Sequence, residues 1–413
     1  MSNDRPDTPA VALWPLSAPT RAALRSRADA LRTSLSTDAL SSTSLTSDGT
    51  PDGLADVAYA LARSPGGPER AVVFATPGAA PAEAFGSGLA AVAAGRAAPN
   101  VVTGRDLAPS STIFVFPGQG GQWDRMGADL LATSPVFAAR IRACDEVIAP
   151  LVGWSVADVL RQAPGAPPLR TTDVIMPALY AVMVSLAAVW ESWGIRPDAV
   201  VGHSLGEAAA AHVAGALSLA DGALVAVVWG RALQDVLADR GGMLAVPLDA
   251  GEVARRLDRW AGRLVVASVT GPGLSTVAGE PALLAELNDE LAADGIQARP
   301  VAASYAGHSA QIDEIRAPLV DGLAGIAPRR PAVPVYAGTT GGRLDGADLD
   351  GADLDGEYWW RNLRSRIRFE SAVRAALADH PGAAFVEISP HPVLTYPVSR
   401  VHDGTCVTVG SLL

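Results

Sequence analysis

The sequence contains no lysine. Its 32 basic residues are all arginines, and 43 acidic residues outweigh them to give a formal charge of −11. The absence of lysine excludes a Schiff-base amine and the Gly-Lys-Ser/Thr ending of a phosphate-binding P-loop. The acidic balance argues against nucleic acid as a partner, because nucleic-acid-binding domains carry clusters of positive charge.

Cysteines and long apolar runs are also scarce. The two cysteines, Cys144 and Cys406, are far apart and lack metal-site spacing, so we expect no disulfide, no metal and a reducing, cytoplasmic environment. The N-terminus lacks the basic and apolar regions of a secretory signal. The longest near-apolar run, residues 176–190, is shorter than the roughly 20 residues that a membrane-spanning helix needs. It therefore predicts a buried helix and no membrane partner.

The 413 residues are 49% hydrophobic, which is ample for two or three folding units. Residues 1–110 predict a small α/β unit that carries no chemical motif. Its expected elements are strands at 11–16 and 71–75 and helices at 18–35, 55–61 and 81–94.

A Gly-x-Ser-x-Gly pattern occupies residues 202–206, between an apolar run and an alanine-rich segment. The apolar run predicts a strand and the alanines predict a helix, which is the setting of a nucleophile elbow around Ser204. Glycines flank the serine because so sharp a turn leaves almost no room for neighbouring side chains. Unpaired N–H groups and the helix dipole at the first turn favour developing negative charge. Ser204 is therefore the candidate nucleophile.

A second glycine-rich turn follows the predicted strand 112–116, in the sequence Pro-Gly-Gln-Gly-Gly. Such a turn leaves backbone N–H groups pointing outward, as an oxyanion hole requires. A phosphate loop is the alternative, but no Gly-Lys-Ser/Thr follows. Strands alternating with helices predict an α/β unit with a mainly parallel sheet. The helices are expected at 128–148, at 156–162, from near Pro177 after a Thr172-Asp173 cap, and at 219–237.

Residues 241–303 predict an insertion whose order of strands and helices differs from that of the surrounding α/β unit. Strands at 243–248, 264–269, 276–278 and 297–302 combine with helices at 250–260 and 281–294 in the order β-α-β-β-α-β. That order is typical of a ferredoxin-like subdomain. Residues 111–240 and 304–413 would then form one larger subdomain around it.

His308 is the histidine best placed to act as a base. It follows a strand and a glycine and precedes a predicted helix at 310–323, so its ring can reach a neighbouring strand end. His203 and His391 lie inside Gly-His-Ser and Pro-His-Pro turns, where a local structural role is favoured.

Residues 361–369 concentrate four arginines in an acidic protein. Two interpretations stay open. The segment is either a solvated face or a contact for an acidic partner or a phosphate.

Four motifs together resemble the acyltransferase domain of modular polyketide synthases, a relative of the malonyl-CoA:acyl carrier protein transacylases. They are Phe-Pro-Gly-Gln-Gly, Gly-His-Ser-Leu-Gly-Glu, Tyr-Ala-Gly-His and Ser-Pro-His-Pro-Val-Leu, at 116–120, 202–207, 305–308 and 389–394. The resemblance covers residues 112–413 and implies an α/β-hydrolase-like large subdomain with an inserted ferredoxin-like small one. Residues 1–110 resemble the linker that precedes such domains. The absence of an upstream ketosynthase suits a loading module.

The resemblance also implies a mechanism. Ser204 would accept an acyl group from acyl-CoA and pass it, by ping-pong kinetics, to the phosphopantetheine thiol of an acyl carrier protein of the same synthase. His308 would move the protons, and a backbone carbonyl near Arg368 would orient its ring. The N–H groups of Gln119 and Leu205 would hold the oxyanion. No permanently bound cofactor is implied.

Two departures from the family pattern concern the acyl pocket. Members that take malonyl or methylmalonyl units have an arginine 25 residues after the serine, where this chain has Trp229. Where the family usually has glutamine before Pro-Ala-Leu, this chain has Met176. Arg231 cannot substitute, because two residues along a helix is about 200° round the axis. A second carboxylate would be buried without a partner, so we expect monocarboxylic acyl groups.

The motif before the histidine also bears on acyl choice. Tyr305 and Gly307 lie in a Tyr-Ala-Gly-His sequence that matches neither the Tyr-Ala-Ser-His nor the His-Ala-Phe-His type of the family. Both residues are therefore expected at the substrate pocket, where Gly307 would leave extra room.

Three alternatives to a starter-unit acyltransferase remain open. An extender-unit transferase for an unusual dicarboxylic acyl-CoA would share the same dyad. A serine acyl hydrolase would need an acid between serine and histidine, and none of Asp221, Asp249 and Asp258 sits in a convincing strand-end loop. A non-catalytic scaffold is disfavoured because both dyad members are present.

Overall fold

The computed structural model describes residues 12–34, 52–64, 66–76, 80–344 and 354–412. The chain divides into two compact units, Met1–Ala108 and Pro109–Leu413. Each unit is an α/β structure with its own hydrophobic core.

The described residues of the first unit form a three-stranded antiparallel sheet with three helices. Trp14 stacks on Phe85 in its core, with ring centroids 4.0 Å apart. In chain order its elements are β1 (Ala12–Ala18), α1 (Arg21–Ser34), α2 (Asp52–Arg63), β2 (Glu69–Ala75), α3 (Pro81–Ala94) and β3 (Val101–Arg105), and the sheet order is β1-β2-β3.

Two elements of this unit differ from the sequence expectations. Strand β1 continues to Ala18, so α1 begins at Arg21 rather than at residue 18. Strand β3 was not expected at all. Four of its five residues are exposed, so it lacks the alternation of apolar and polar residues that marks a half-buried strand.

The second unit contains ten strands and twelve α-helices among its described residues. The strands are β4 (Thr112–Phe116), β5 (Ala199–Gly202), β6 (Gly242–Val246), β7 (Leu264–Gly271), β8 (Leu274–Gly279), β9 (Arg299–Pro300), β10 (Val335–Ala337), β11 (Gly342–Arg343), β12 (Ala384–Glu387) and β13 (Val407–Gly410). The helices are α4 (Ala128–Thr133), α5 (Pro135–Val152), α6 (Val156–Arg161), α7 (Thr172–Ser192), α8 (Gly206–Val213), α9 (Leu219–Ala232), α10 (Ala250–Leu257), α11 (Pro281–Ala293), α12 (Arg316–Gly322), α13 (Gly356–Arg364), α14 (Phe369–Asp379) and α15 (Thr395–Val401).

Six of these strands form the large sheet, in the order β11-β10-β5-β4-β12-β13. All neighbours pair in parallel except β11, which is antiparallel to β10. Strand β5 is buried along its whole length, as expected for a parallel strand covered on both faces. The expected parallel α/β architecture is therefore confirmed, and β4 and β5 lie side by side at its centre.

Helix α7 is buried in the main hydrophobic core, among helices α5, α8 and α9. It is also long and apolar enough to cross a membrane, but 89% of its most apolar 18-residue window is buried inside the protein. It begins at Thr172 rather than near Pro177, which lies within the helix. The proline removes one backbone hydrogen bond, but burial of nearly every α7 side chain outweighs that loss.

Other helix boundaries also differ from expectation. The run 128–148 is split into α4 and α5 because Ser134 caps a new helix that begins with Pro135. Helix α9 begins with a capping box of Ser218 and Asp221 and continues into a π-helical turn, Leu233–Leu237. The helix expected at 310–323 is a 3₁₀ segment, Ala310–Ile315, followed by the shorter α12.

Strands β6 to β9 form a separate antiparallel sheet in the order β7-β8-β6-β9. With α10 and α11 they give the β-α-β-β-α-β order of the expected ferredoxin-like subdomain. The last strand is only Arg299–Pro300, shorter than the expected 297–302, since proline cannot donate to a ladder. We propose residues 241–303 as this small subdomain, residues 111–240 and 304–413 as the large one, and residues 1–110 as a linker-like unit.

Candidate active site

Ser204 stands in the turn between β5 and α8, which is the expected nucleophile elbow. Its φ of 54° lies in the left-handed region, where a non-glycine residue is strained. Close packing explains both glycines of the motif. A Cβ on Gly202 would lie 2.5 Å from Glu207 Cα, and a Cβ on Gly206 would lie 2.0 Å from the Phe116 carbonyl oxygen.

The His308 ring lies against this serine. Its Nε2 is 3.0 Å from Ser204 Oγ, and its Nδ1 is 3.0 Å from the carbonyl oxygens of both Asn362 and Ser365. Carbonyls only accept, so Nδ1 carries the proton and Nε2 is left free to accept from the serine hydroxyl. These carbonyls lie six and three residues before Arg368, near which an orienting carbonyl was expected.

Burial keeps the imidazole neutral. His308 is only 6% exposed, and burial lowers its pKa to about 4, against the opposing effect of the two carbonyls. Burial and the proximity of His308 also lower the pKa of His203, to about 3. The His203 ring packs edge-on against Phe369 at 5.5 Å. His203 therefore packs as a neutral ring beside the pair.

The glycine-rich loop after β4 closes over the serine. A Cβ on Gly118 would lie 3.2 Å from Ser204 Cβ. The next residue, Gln119, is fixed through its side chain, which donates to the Ala302 carbonyl and accepts from the Tyr305 hydroxyl. Across the described ranges, no oxygen accepts a hydrogen bond from the backbone N–H of Gln119 or of Leu205. Both amides are therefore available to a bound group.

A cavity of about 640 Å³ opens beside Ser204 and His308. The large subdomain contributes Gln119 and Tyr305 to its lining, and the small subdomain contributes the opposite wall. That wall includes Met243, Val246, Leu274, Thr276 and Arg299. The site is therefore a cleft between the two sheets of this unit.

Comparisons with known proteins agree with this geometry. The family model described as "Acyl transferase domain" matches residues 113–412. The acyltransferase domain from module 8 of the salinomycin polyketide synthase is 44% identical, with a TM-score of 0.86 over 97% of this chain and 91% of that one. This chain belongs to the acyltransferase domains of modular polyketide synthases. It is an acyltransferase.

Other relatives support the same assignment. A loading acyltransferase from the avermectin modular polyketide synthase is also 44% identical, with a TM-score of 0.70 over 73% of this chain and 94% of that one. Erythronolide synthase EryA2 of Saccharopolyspora erythraea is 47% identical over 79% of this chain, and polyketide synthase GfsB of Streptomyces halstedii is 43% identical over 97% of it. The chain spans only 9% and 7% of these two synthases.

Two residues expected in the acyl pocket of this acyltransferase do not line the cleft. Met176 and Trp229 are 1% and 0% exposed and lie in the main hydrophobic core. Helices α7 and α9 carry them and pack closely, because Gly222 lies against Tyr180 and Gly230 lies against Thr172 and Asp173. They therefore form a buried apolar layer rather than part of the open surface of the cleft.

Trp229 itself packs edge-on against Trp359, with ring centroids 6.1 Å apart. Within the part of the chain that the structure describes, its indole Nε1 has no hydrogen-bond partner. Arg231 is exposed and donates to the Leu151 carbonyl. Its guanidinium is thus directed away from this layer, as its helical position predicts.

Gly307 corrects a further expectation. It does not line the cleft, and a Cβ on it would lie 3.0 Å from Cε2 of Tyr305. The missing side chain therefore makes room for the Tyr305 ring instead of for substrate. Tyr305 does line the cleft, as expected.

No sequence pattern marks the far wall of the cleft or the carbonyls that hold His308. Met243, Leu274 and Thr276 belong to ordinary short strands whose sequences do not distinguish a cleft-facing side chain from a core one. The carbonyls of Asn362 and Ser365 act through the backbone, which any residue type supplies.

The low pKa of His308 predicts an unusual pH profile for labelling of Ser204 by a fluorophosphonate. His308 must be unprotonated to accept the serine proton, so the labelling rate should stay constant from neutral pH to about pH 5 and fall as pH drops through about 4. Labelling rates across this range, with circular dichroism as the control for folding, measure it. A loss centred near pH 6.5, the ordinary histidine value, would contradict the buried neutral ring.

Proposed function

We propose that this domain transfers a monocarboxylic starter acyl group, short or branched, from acyl-CoA to the phosphopantetheine thiol of an acyl carrier protein of the same synthase. Ser204 is the nucleophile, and His308 is the general base and acid. The 3.0 Å contact between Ser204 Oγ and His308 Nε2, in a member of this family, carries the proposal.

The reaction has two balanced halves. In the first, His308 Nε2 accepts the hydroxyl proton as Ser204 Oγ attacks the thioester carbonyl, so that a C–O bond forms and the C–S bond breaks. The imidazolium returns its proton to the departing thiolate of coenzyme A. In the second half, the carrier thiol gives its proton to His308 and its sulfur attacks the ester carbonyl. A C–S bond forms, the C–O bond to Ser204 breaks, and the imidazolium returns the proton to Ser204 Oγ. The serine hydroxyl is restored at the end.

The backbone N–H groups of Gln119 and Leu205 stabilise the oxyanion in both halves. Both amides lack an acceptor within the described residues, and both flank the serine. Each such donor contributes about 3 kcal/mol to transition-state stabilisation. The two carbonyls beside His308 Nδ1 take the place of a carboxylate, which weighs against a hydrolase triad.

Trp229 supports the choice of a monocarboxylic acyl group. Its indole occupies the sequence position of the family arginine, packs against Trp359 and belongs to the same buried apolar core as Met176. Neither Trp229 nor Met176 lines the cleft. An acyl carboxylate that reached their position would be buried without a cation, which typically costs several kcal/mol. Arg299 is the only arginine lining the cleft among the described residues. It is exposed on the edge strand β9, where water screens its charge.

The comparisons are compatible with this role without deciding it. A loading acyltransferase and a domain of a numbered module are equally identical to this chain. The substrate class therefore rests on the two substitutions at 176 and 229. Preferential acylation by a dicarboxylic extender unit would replace the monocarboxylic substrate class proposed here.

Partners and location follow from the same proposal. Acyl-CoA is a substrate, the phosphopantetheine belongs to the carrier protein, and no cofactor stays bound. Arg361 and Arg366 are exposed, whereas Arg364 pairs with Asp313 at 2.9 Å. Arg368 is exposed as well. Arg361 and Arg366 are our candidate contacts for the carrier protein. We place the domain in the cytoplasm.

Substitution of the dyad tests the transferase chemistry. Ser204→Ala should abolish the acyl-enzyme, because no other hydroxyl lies within bonding distance of His308 Nε2 among the described residues. His308→Ala should retain the serine but slow transfer to the carrier protein by about 10² to 10⁴. Intact-protein mass shows whether Ser204→Ala still forms an acyl-enzyme, and transfer rates to the carrier protein measure the effect of His308→Ala. An acyl adduct on the Ser204→Ala protein would overturn the assignment.

Substitution of Trp229 tests the substrate class. Trp229→Arg, alone and with Met176→Gln, supplies the missing cation and should raise the ratio of malonyl-CoA to propionyl-CoA acylation rates by about tenfold or more. Trp229→Phe is the matched control, since it keeps the layer apolar and should leave the ratio low. Single-turnover mass spectrometry of the Ser204 peptide measures both. A folded Trp229→Arg protein with an unchanged ratio would contradict the role of this position.

A further inference from the structure

Glu207 is a buried carboxylate that the proposed chemistry does not use. It is the second residue of α8, three residues after Ser204, and only 2% exposed. It forms no ion pair among the described residues. Instead it accepts hydrogen bonds from the Thr339 N–H at 2.7 Å, the Thr339 hydroxyl at 2.9 Å and the Tyr358 hydroxyl at 2.7 Å.

Burial of the Glu207 carboxylate without a cation costs free energy. Burial raises the pKa of Glu207 to about 7, although each of these hydrogen bonds opposes that shift. A buried carboxylate with no cation is a poor source of stability. Since stability does not explain Glu207, we look for its role in the positioning of the groups to which it is hydrogen-bonded.

Its partner Tyr358 lies on α13, whose other end holds the histidine. The Asn362 and Ser365 carbonyls accept from His308 Nδ1, and the Leu363 carbonyl accepts from the His308 backbone N–H at 2.8 Å. All three carbonyls come from the segment 362–365, within two turns of Tyr358 at the end of the same short helix. The position of α13 consequently sets the position of the His308 ring.

The elbow is tied to the same helix at a second point. Asn362 Nδ2 donates to the Ser204 carbonyl at 3.4 Å. The bond between Tyr358 and Glu207 is shorter and lies nearer the start of α13. Together the two contacts fix α13 against the segment 204–207, which carries the serine.

We propose that Glu207 and Tyr358 are positioning residues: their buried hydrogen bond fixes α13 against the elbow and thereby holds His308 Nε2 at bonding distance from Ser204 Oγ. This inference rests on the proposed roles of Ser204 and His308. Displacement of a reacting group by about 1 Å can cost roughly a hundredfold in rate. Loss of the Tyr358 hydroxyl therefore acts on the dyad through His308, without touching substrate.

Tyr358→Phe is the central variant, because it removes one hydroxyl and keeps the ring. Tyr336→Phe is its matched control. It removes another tyrosine–carboxylate bond, 2.6 Å to Asp379, from a buried ring that contacts neither dyad member through its hydroxyl. The readout is fluorophosphonate labelling of Ser204, resolved into the maximal rate and the half-saturating concentration. We expect Tyr358→Phe to lower the maximal rate roughly tenfold or more with half-saturation within about twofold, and Tyr336→Phe to change neither by more than about twofold.

A double-mutant cycle separates positioning from general stability. In a His308→Ala background, Tyr358→Phe should have no further effect on the residual labelling rate, because the group it positions is gone. Glu207→Gln, which can still accept from Thr339 and donate to the Tyr358 oxygen, should retain more activity than Glu207→Ala. Thermal unfolding of every variant confirms that the proteins are folded.

The possible outcomes each decide the matter. Equal slowing by Tyr358→Phe with and without His308, or equal slowing by both tyrosine variants, would overturn the positioning role. If the Tyr358→Phe protein is unstable, the comparison of Glu207→Gln with Glu207→Ala decides. Equal Ser204 labelling rates for those two variants would also overturn the positioning role. Failure of wild-type Ser204 to be labelled would instead reject the proposed nucleophile, so the two failures are distinguishable.

Discussion

The contact between Ser204 Oγ and His308 Nε2 requires several distant segments to meet at one edge of the parallel sheet. Strands β4 and β5 end side by side there, so the loop after β4 lies against the elbow after β5. The two residues of the contact both have positive φ, at 54° and 59°. Strain at a non-glycine position persists only where the surrounding structure fixes the backbone. The close approaches of Gly202 and Gly206 fix the turn at Ser204, and a hydrogen bond from the His308 backbone N–H to the Leu363 carbonyl holds the second position.

Burial governs the electrostatics of this contact. His308 has backbone carbonyls at Nδ1 where a hydrolase triad has a carboxylate, so its ring is oriented without a charged neighbour there. Desolvation then keeps it neutral at physiological pH, ready to accept a proton. Glu207 lies beneath the same elbow with hydroxyl and amide donors in place of a cation. The His308 ring is therefore oriented by uncharged backbone groups rather than by a carboxylate.

The sequence predicted the elements whose signals are local, and it failed where tertiary packing decides. The elbow and the ferredoxin-like insertion each carry their own pattern of residues, and the structure contains both. The expected start of α7 was wrong because core burial overrides the proline at 177. Met176 and Trp229 were expected in the pocket. Spacing along a helix predicts which face of the helix a side chain occupies, but not how deeply that face is buried. The Tyr358–Glu207 bond joins residues 151 positions apart, which no local pattern reveals.

Competition between acyl-CoAs tests the central claim, that Ser204 is acylated from a site built for monocarboxylic groups. The wild-type protein would be incubated briefly with an equimolar mixture of propionyl-, isobutyryl-, malonyl- and methylmalonyl-CoA, and the mass of the Ser204 peptide recorded. We predict that propionyl and isobutyryl adducts dominate by about a hundredfold, as expected from the cost of burying an unpaired carboxylate. A peptide carrying mainly malonyl or methylmalonyl would contradict the account.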